Sequence, residues 1–446
     1  MGDDAFLNIG NNMIKYIGIV ITGVLTSLFL FPFHFQGLPG NTKMYLAVCG
    51  LIVLGYELSR GKSATLSTKT FTLSILSIIV SLCGIVSVVL NNTPDYAYAF
   101  YFMSMWVWLG AAYFIVKLME AVHGKVDIGI ICNYLIAVCV AQCIASILID
   151  RFPNVRRIVD QYVEQGQDFL KNTVGVKRKY GIGASLDVAG SRFSAVLIMI
   201  CFLIVKSNES KKTILAMIYF LAFIFISIQG NAIARTTSVG MLIGICMLLF
   251  YSLYVMFNTS RERGHVVAIG TIIVFIITIM SVYLYNTDEQ FHEDLRFGFE
   301  GFFSLVEKGE WSVSSNEKLK SMYVWPDNAK TWIIGDGYFS NPINTDPYFV
   351  GNITGGYYMG TDVGYLRFIF YFGVFGLVAF SAFMCYSAKI CMESFKNNKW
   401  MFLLIIIVNF IVWLKVSTDI FVIFAPFLAL SAMNDSEKDI LSVKKA

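Results

Sequence analysis

Long apolar stretches separated by short polar ones dominate this chain, and their length indicates which elements they form. A helix that crosses the hydrocarbon core of a bilayer needs about 20 apolar residues. Twelve stretches approach that length, and each predicts a membrane-spanning helix. The predicted spans are residues 14–33, 42–58, 70–90, 96–119, 128–149, 189–206, 213–230, 236–257, 266–285, 362–386, 400–414 and 417–433. The expected fold is therefore an all-α polytopic membrane protein.

Composition and charge agree with this fold and orient it. Hydrophobic residues make up 57% of the chain and charged residues 14%, which is far more apolar than a water-soluble domain requires. The loops on one side of the predicted spans contain thirteen Lys and Arg residues, and the short loops on the other side contain three. Because positively charged loops stay in the cytoplasm, both termini are expected there.

This orientation divides the chain into five segments, two of which are long outer loops. The segments are spans 1–5 in residues 1–149, a loop at 150–188, spans 6–9 at 189–285, a loop at 286–361, and spans 10–12 with a cytoplasmic tail at 362–446. No small-residue cleavage site follows the first apolar stretch, so that stretch is expected to remain as a span.

The remaining composition disfavours several classes of site. All nine cysteines lie in or beside apolar segments, so neither a disulfide framework nor a cysteine-based metal site is expected. The four histidines are too dispersed for a zinc site, and no cofactor is expected. The net charge of +4 comes from scattered basic residues, a pattern that gives no nucleic-acid-binding surface.

The first outer loop begins with apolar and charged residues at helical spacing. The apolar positions are Val155, Ile158, Val159, Tyr162, Phe169 and Leu170, and the charged ones are Arg156, Arg157, Asp160, Glu164 and Asp168. This pattern predicts an amphipathic helix on the membrane surface. The loop ends in the basic cluster 177–179 (Lys-Arg-Lys), just before Gly181 and Gly183. Such a cluster suits a phosphate anion such as pyrophosphate, or it forms a solvated turn beside lipid headgroups.

The second outer loop is long enough to form a small domain or a lid. The mixed apolar and charged sequence of residues 289–308 predicts a helix. A further helix is expected to start at Ser314 or Ser315, with Glu317 in its first turn. Residues 338–361 are rich in Tyr, Phe, Asn, Asp, Thr and Gly. Aromatic faces with amides and carboxylates suit sugar recognition, although aromatic residues are also common at the membrane interface.

Four charged residues stand at the outer ends of predicted spans: Arg192, Arg235, Asp362 and Arg367. Charges at membrane depth are costly unless they pair or act on a substrate. Several arginines with one carboxylate at one depth suit a lipid-linked phosphate and a reaction that needs a base. Alternatively, each arginine reaches the lipid headgroups and Asp362 pairs with one of them. On a helix, Asp362 would share a face with Tyr365 but not with Arg367.

Three short motifs resemble those of the O-antigen polymerase and O-antigen ligase group of bacterial envelope glycosyltransferases. An Asp-Val pair at 362–363 is followed by nine residues and then by Gly-Val-Phe-Gly at 373–376. That spacing is similar to the ligase motif, with aspartate in place of its histidine, which favours the polymerase branch. Arg178 with Gly181, and Ala-Arg-Thr-Thr at 234–237, are similar to two arginine motifs of the group. Two large periplasmic loops are also the group's layout.

The resemblance implies a reaction on the periplasmic side of the bacterial inner membrane. A glycan would leave undecaprenyl pyrophosphate as the sugar hydroxyl of a second lipid-linked repeat unit attacks its anomeric carbon, so that O-antigen or a related polysaccharide grows. Asp362 would be the general base, or would orient that hydroxyl, and Arg178, Arg192 and Arg235 would bind the pyrophosphate. The further residues assigned to the substrate are Tyr365, Arg367, Lys177 and Lys179. No metal is required, because arginines can stabilise the leaving diphosphate.

Expected partners are undecaprenyl-pyrophosphate-linked glycans, membrane lipids and a chain-length regulator, with no nucleic acid. Two other functions remain open. An O-antigen ligase would transfer the glycan to lipid A core, and the aspartate at 362 argues against it. A flippase or transporter of lipid-linked oligosaccharides would have internal repeats and helix-breaking or charged residues at the bilayer midplane. The sequence contains no evident repeat, and its intramembrane charges lie at the outer edge.

Overall fold

The computed structural model describes residues 2–60, 67–164, 179–258, 282–344, 346–351 and 356–443. The described helices are α1 (Gly2–Leu30), α2 (Thr42–Ser59), α3 (Thr68–Asn91), α4 (Tyr101–His123), α5 (Ile128–Arg151), α6 (Pro153–Tyr162), α7 (Leu186–Glu209), α8 (Thr213–Ile233), α9 (Thr237–Asn258), α10 (Glu289–Gly298), α11 (Glu300–Lys308), α12 (Ser314–Lys320), α13 (Ala329–Ile333), α14 (Gly364–Ser394), α15 (Lys399–Val412) and α16 (Phe421–Val443). Two short strands, β1 (His34–Phe35) and β2 (Val163–Glu164), pair antiparallel. Short 3-10 turns occupy Pro342–Asn344, Tyr358–Gly360 and Lys396–Asn398.

Within the described residues, eight helices are long and apolar enough to cross a membrane, as expected of an α-helical polytopic protein. They coincide with the first seven predicted spans and with the tenth. The eighth and twelfth contain the shorter apolar helices Thr237–Leu253 and Phe421–Asp435, and the eleventh is the 14-residue α15. Residues 266–281 of the ninth lie outside the described residues. The number twelve and the orientation of the spans therefore stay predictions.

The chain forms two compact units, each built from two separate pieces of sequence. Unit 1 contains Met1–Leu46 and Ile115–Trp311. Unit 2 contains Ala47–Phe114 and Ser312–Ala446. Each unit has its own central helix, and the residues assigned to a site are divided between them.

The central helix of unit 1 is α7, and its residues 195–205 are continuously apolar and therefore become enclosed. It packs against α5, α8 and α9, and 78% of the residues in its apolar 18-residue stretch are buried. Gly240 on α9 crosses α7 so closely that a Cβ at this position would overlap the backbone of Ser194. Small residues permit such crossings between membrane helices. Arg192, in the N-terminal half of α7, is consequently held in a tightly packed part of the unit.

The amphipathic helix predicted in the first outer loop is present as α6. Ile158 and Tyr162 are exposed, and Val159 is buried. Val159 belongs to an apolar cluster with Phe33, Ile149, Val163 and Tyr180. The helix ends at Tyr162, and Val163 and Glu164 form β2, so the prediction that the helix includes Glu164 is wrong. The predicted positions Asp168, Phe169 and Leu170 lie outside the described residues.

The helices predicted in the second outer loop are also present. The run 289–308 forms α10 and α11, which divide at Phe299. Asp288 caps α10, since its side chain accepts a hydrogen bond from the backbone N–H of Phe291, and this satisfies one of the free donors of the first turn. The helix expected at Ser314 is α12, with Glu317 in its first turn.

The central helix of unit 2 is α14, against which α3, α13, α15 and α16 pack. It is broken at Phe372 (φ −138°, ψ 20°) and Gly373 (φ 69°, ψ −175°). A turn at residues 335–337 inserts at the break. The backbone N–H of Asp336 donates to the carbonyl of Phe370 at 2.6 Å, and that of Gly337 donates to the carbonyl of Tyr371 at 3.2 Å. The turn therefore satisfies backbone groups where the helix is interrupted.

The structure corrects one expectation about the start of this helix. The apolar pattern predicts that the tenth span begins at residue 362, but the first helical residue is Gly364. The prediction that Asp362 shares a helical face with Tyr365 is therefore wrong, because Asp362 precedes the helix. Gly364 lies so close to the carbonyl of Val416 that a Cβ would overlap it. The segment after α15 thus packs directly against the beginning of α14.

Candidate functional site

Asp362 lies on an extended segment between the 3-10 turn at Tyr358–Gly360 and α14. Its neighbours Thr361 and Val363 are 0% and 1% exposed, whereas Asp362 is partly exposed. The backbone N–H of Val363 donates to Oγ1 of Thr361 at 3.2 Å. The buried neighbours fix the backbone, while Asp362 itself stays partly exposed, as a general base or a hydroxyl-orienting residue must be.

Arg367 is a buried cation, 8% exposed, on the first turn of α14. Its Nη1 donates to Oγ of Ser417 at 2.6 Å, and its Nη2 donates to the carbonyl of Phe339 at 3.0 Å. The ring centroids of Phe339 and Tyr357 lie 3.8 and 4.3 Å from the guanidinium carbon. Arg367 therefore joins α14 to two loops through hydrogen bonds and cation–π contacts. These contacts support a positioning role.

Asp95 is a buried carboxylate, 7% exposed, in the loop between α3 and α4. Its Oδ2 accepts from the backbone N–H groups of Phe339 and Ser340 at 2.8 and 3.2 Å. It thus fixes the residue whose ring and carbonyl contact Arg367. Sequence reasoning missed Asp95, although a carboxylate in a short loop between two spans was an available signal.

Tyr365 lies on the first turn of α14 and is held by α15. Its hydroxyl donates to the carbonyl of Phe410 at 2.9 Å. Its ring meets that of Trp413 edge-on, with a centroid separation of 5.8 Å. Because the hydroxyl is already hydrogen-bonded to the backbone, Tyr365 helps to position the start of α14.

We expect Arg367→Lys to lower the thermal stability of the protein, because lysine keeps the charge but loses the planar, two-pronged contact. Losing a desolvated cation–π contact and a charged hydrogen bond should cost about 2 kcal/mol or more. Thermal unfolding in detergent measures this. The control is Arg60→Lys in the same unit, where an exposed guanidinium lies 4.8 Å from the ring centroid of Tyr56. Equal changes in the unfolding temperature of the two variants would contradict the positioning role of Arg367.

In unit 1, Lys179 links the two outer loops. Its ammonium group, on a side chain 8% exposed, makes ion pairs with Asp150 at 3.2 Å and with Asp294. Gln290 also donates to Asp150. Burial raises the pKa of the Asp294 carboxyl, and the hydrogen bond from Lys179 offsets part of that rise. The basic cluster thus contributes at least one residue to an ionic network among carboxylates.

The two arginines of unit 1 assigned to pyrophosphate each contact a protein group. Nη1 of Arg192, which is 6% exposed, donates to the carbonyl of Leu30 at 2.6 Å. Nη1 of Arg235 pairs with Glu300 at 2.6 Å, and the ring centroid of Phe297 lies 4.1 Å from its guanidinium carbon. The other two members of the basic cluster, Lys177 and Arg178, lie outside the described residues. Assignment of these four residues to pyrophosphate stays a prediction.

A cavity of about 850 Å³ lies beside Lys179 in unit 1. Its lining comes from Asp150 at the end of α5, from Lys179, and from residues in the range 285–297. Three aromatic rings form part of the lining, those of Tyr285, His292 and Phe297, and the His292 ring is stacked on that of Tyr285 at a centroid separation of 4.0 Å. The volume is in the range of ligand-binding cavities, but the lining is much more polar than usual. Its chemistry suits a hydroxyl-rich ligand.

The predicted residues therefore fall into two groups. Lys179, Arg192 and Arg235 belong to unit 1, whereas Asp362, Tyr365 and Arg367 belong to unit 2. Among the described residues, no three His, Cys, Asp or Glu side chains are grouped so that they could hold a metal ion. Comparison with protein-family models, curated proteins and solved structures finds no match to this chain.

Proposed function

We propose that this protein is a membrane glycosyltransferase that polymerises oligosaccharide repeat units carried on undecaprenyl pyrophosphate. The product would be O-antigen or a related surface polysaccharide, made on the periplasmic side of the bacterial inner membrane. A chain-length regulator is a candidate partner. The proposal rests on the motif resemblance together with the chemistry that the described residues offer.

The observation that carries the proposal is the placement of Asp362. A partly exposed aspartate stands between two buried residues at the start of a membrane-length helix, where a lipid-linked substrate would present its reacting sugar. Asp362 would take the proton of the attacking hydroxyl. The hydroxyl oxygen forms the new bond to the anomeric carbon as the bond to pyrophosphate breaks, and undecaprenyl pyrophosphate leaves.

One observation favours a second function, a transporter of lipid-linked oligosaccharides. The break at Phe372 and Gly373 makes α14 a discontinuous membrane helix, and such helices often form the substrate sites of transporters. In this protein, however, the carbonyls at the break accept hydrogen bonds from the protein: Phe370 from Asp336, and Tyr371 from Gly337 and from Ser87 Oγ at 2.6 Å. Those groups are already satisfied, so we rank the transporter below the polymerase.

Purified protein in detergent, given only lipid-linked repeat units, distinguishes the candidate functions. Polymerase activity predicts products that differ by whole repeats, without any nucleotide sugar. Transfer that appears only after lipid A core is added would identify a ligase instead. Absence of products in both reactions, with movement of the lipid-linked glycan across a proteoliposome membrane, would identify a transporter and overturn the proposal.

A further inference from the structure

The cavity in unit 1 carries an excess of negative charge. Four carboxylates line it, against two cations, which gives a formal charge of −2 with the histidine neutral. The carboxylates are those of Asp150, Glu289, Glu293 and Asp294, and the cations are Lys179 and Arg296. A cavity of this charge attracts cations and repels anions.

Both cations of the cavity are already engaged by protein carboxylates. Lys179 bridges Asp150 and Asp294. Nη2 of Arg296 pairs with Glu307 at 2.8 Å, and its Nη1 donates to the hydroxyl of Tyr285 at 3.1 Å. An entering phosphate or uronate would have to displace these partners while facing the other carboxylates, and bringing like charges together is unfavourable.

The carboxylates, amides and aromatic rings of the lining complement a sugar. Carboxylates accept hydrogen bonds from hydroxyl and ammonium groups, and the amides of Asn286 and Gln290 can both donate and accept. The rings of Tyr285 and His292, which are stacked on each other, form an aromatic part of the lining. The buried ion pairs of Lys179 fix the floor of the cavity before any ligand enters, which reduces the ordering cost of binding.

We infer that this cavity binds neutral or amino sugars of the glycan and excludes both its pyrophosphate and acidic sugars. The inference rests on the proposed function, since it names the part of that substrate which unit 1 would hold. It also separates Lys179 from the pyrophosphate-binding role that the basic cluster suggests, because Lys179 already makes ion pairs with two carboxylates, one of which, Asp150, also pairs with Arg156.

The electrostatic part of the inference is tested by thiol modification. Thr287, an exposed residue of the lining, is replaced by cysteine and treated with trimethylammonioethyl or sulfonatoethyl methanethiosulfonate. We expect the ratio of the cationic to the anionic modification rate to be about tenfold higher at Thr287→Cys than at Gln161→Cys. Gln161, the control, is an exposed residue of α6. Wild-type protein corrects for the native cysteines. A ratio equal to that of the control would overturn the inference.

Protection of the same cysteine tests ligand class. The probes are chitotetraose, its fully deacetylated form and tetragalacturonate, which are matched in length but neutral, cationic and anionic. The neutral or cationic tetramer should slow modification at Thr287→Cys more than the anionic one. Adding Glu289→Lys and Glu293→Lys should reverse that preference, whereas adding Glu310→Lys, outside the cavity, should not. Failure of both the neutral and the cationic probe to protect, or stronger protection by tetragalacturonate, would overturn the inference.

These measurements need no turnover, so they separate the two proposals. Protection without polymer formation would leave the sugar site in place and remove the polymerase. Polymer formation without protection would retain the polymerase and remove the cavity as its sugar site.

Discussion

Asp362→Asn should abolish polymer elongation while the protein is still produced and folded. Asparagine matches the shape of aspartate but cannot take a proton from the attacking hydroxyl, and loss of a general base typically costs about 10²–10⁴-fold in rate. The segment around it should survive, because Thr361 and Val363, not Asp362, are its buried residues. The measurement is the initial rate of glycosidic bond formation by purified protein, with thermal unfolding recorded beside it.

The matched control is Asp327→Asn, the same substitution at an exposed aspartate of unit 2. Its carboxylate accepts a hydrogen bond from the neighbouring Asn328 at 2.8 Å, so its loss should leave the rate within about twofold, as for most surface substitutions. If Asp362→Asn elongates chains at the wild-type rate, the carboxylate has no role in the chemistry.

Gly373→Ala should destabilise the protein strongly, because both the backbone and the surroundings of this residue require glycine. Its φ of 69° and ψ of −175° fall in a region open essentially to glycine alone. A Cβ would also overlap the carbonyl of Ile333, at the end of α13. Backbone strain plus displacement of the inserted turn should cost about 3 kcal/mol or more. A large fall in the thermal midpoint, or loss of folded protein, is the expected result.

Gly55→Ala provides the comparison for this variant. Gly55 lies in α2 within unit 2, is helical, and has open space around it, since a Cβ added there would meet no atom within 4 Å. Alanine there should be neutral or stabilising by about 0.5–1 kcal/mol. If alanine at 373 were tolerated as well as alanine at 55, the broken form of α14 would be incorrect.

The elements that could be predicted from sequence are those with local causes. Spans such as α3 and α5 follow from apolar length alone. The loop helices α6, α10 and α12 follow from amphipathic spacing and from residues suited to their first turns. Hydropathy gives no sign of the break in α14, because the residues around it are uniformly apolar. The break depends on a turn that comes from a distant part of the chain, so the glycines at 373 and 376 could be recognised only as a motif.

The sequence indicates which residues of the candidate site to consider, but not which residues they contact. The cost of placing a charge in a membrane drew attention to Arg367, yet its contacts with Phe339 and Ser417 come from two separate loops. The basic cluster drew attention to Lys179, but its partner Asp294 is 115 residues away. Pairings over such distances are set by tertiary packing, which a single sequence does not encode in any local pattern.

The most direct test of the proposed polymerase is the release of its leaving group. Purified protein is supplied with lipid-linked repeat units and no nucleotide sugar, and both new glycosidic bonds and free undecaprenyl pyrophosphate are counted over time. We predict one undecaprenyl pyrophosphate released for each bond formed, with neither product in Asp362→Asn. Movement of the lipid-linked glycan without bond formation or lipid release would contradict the account.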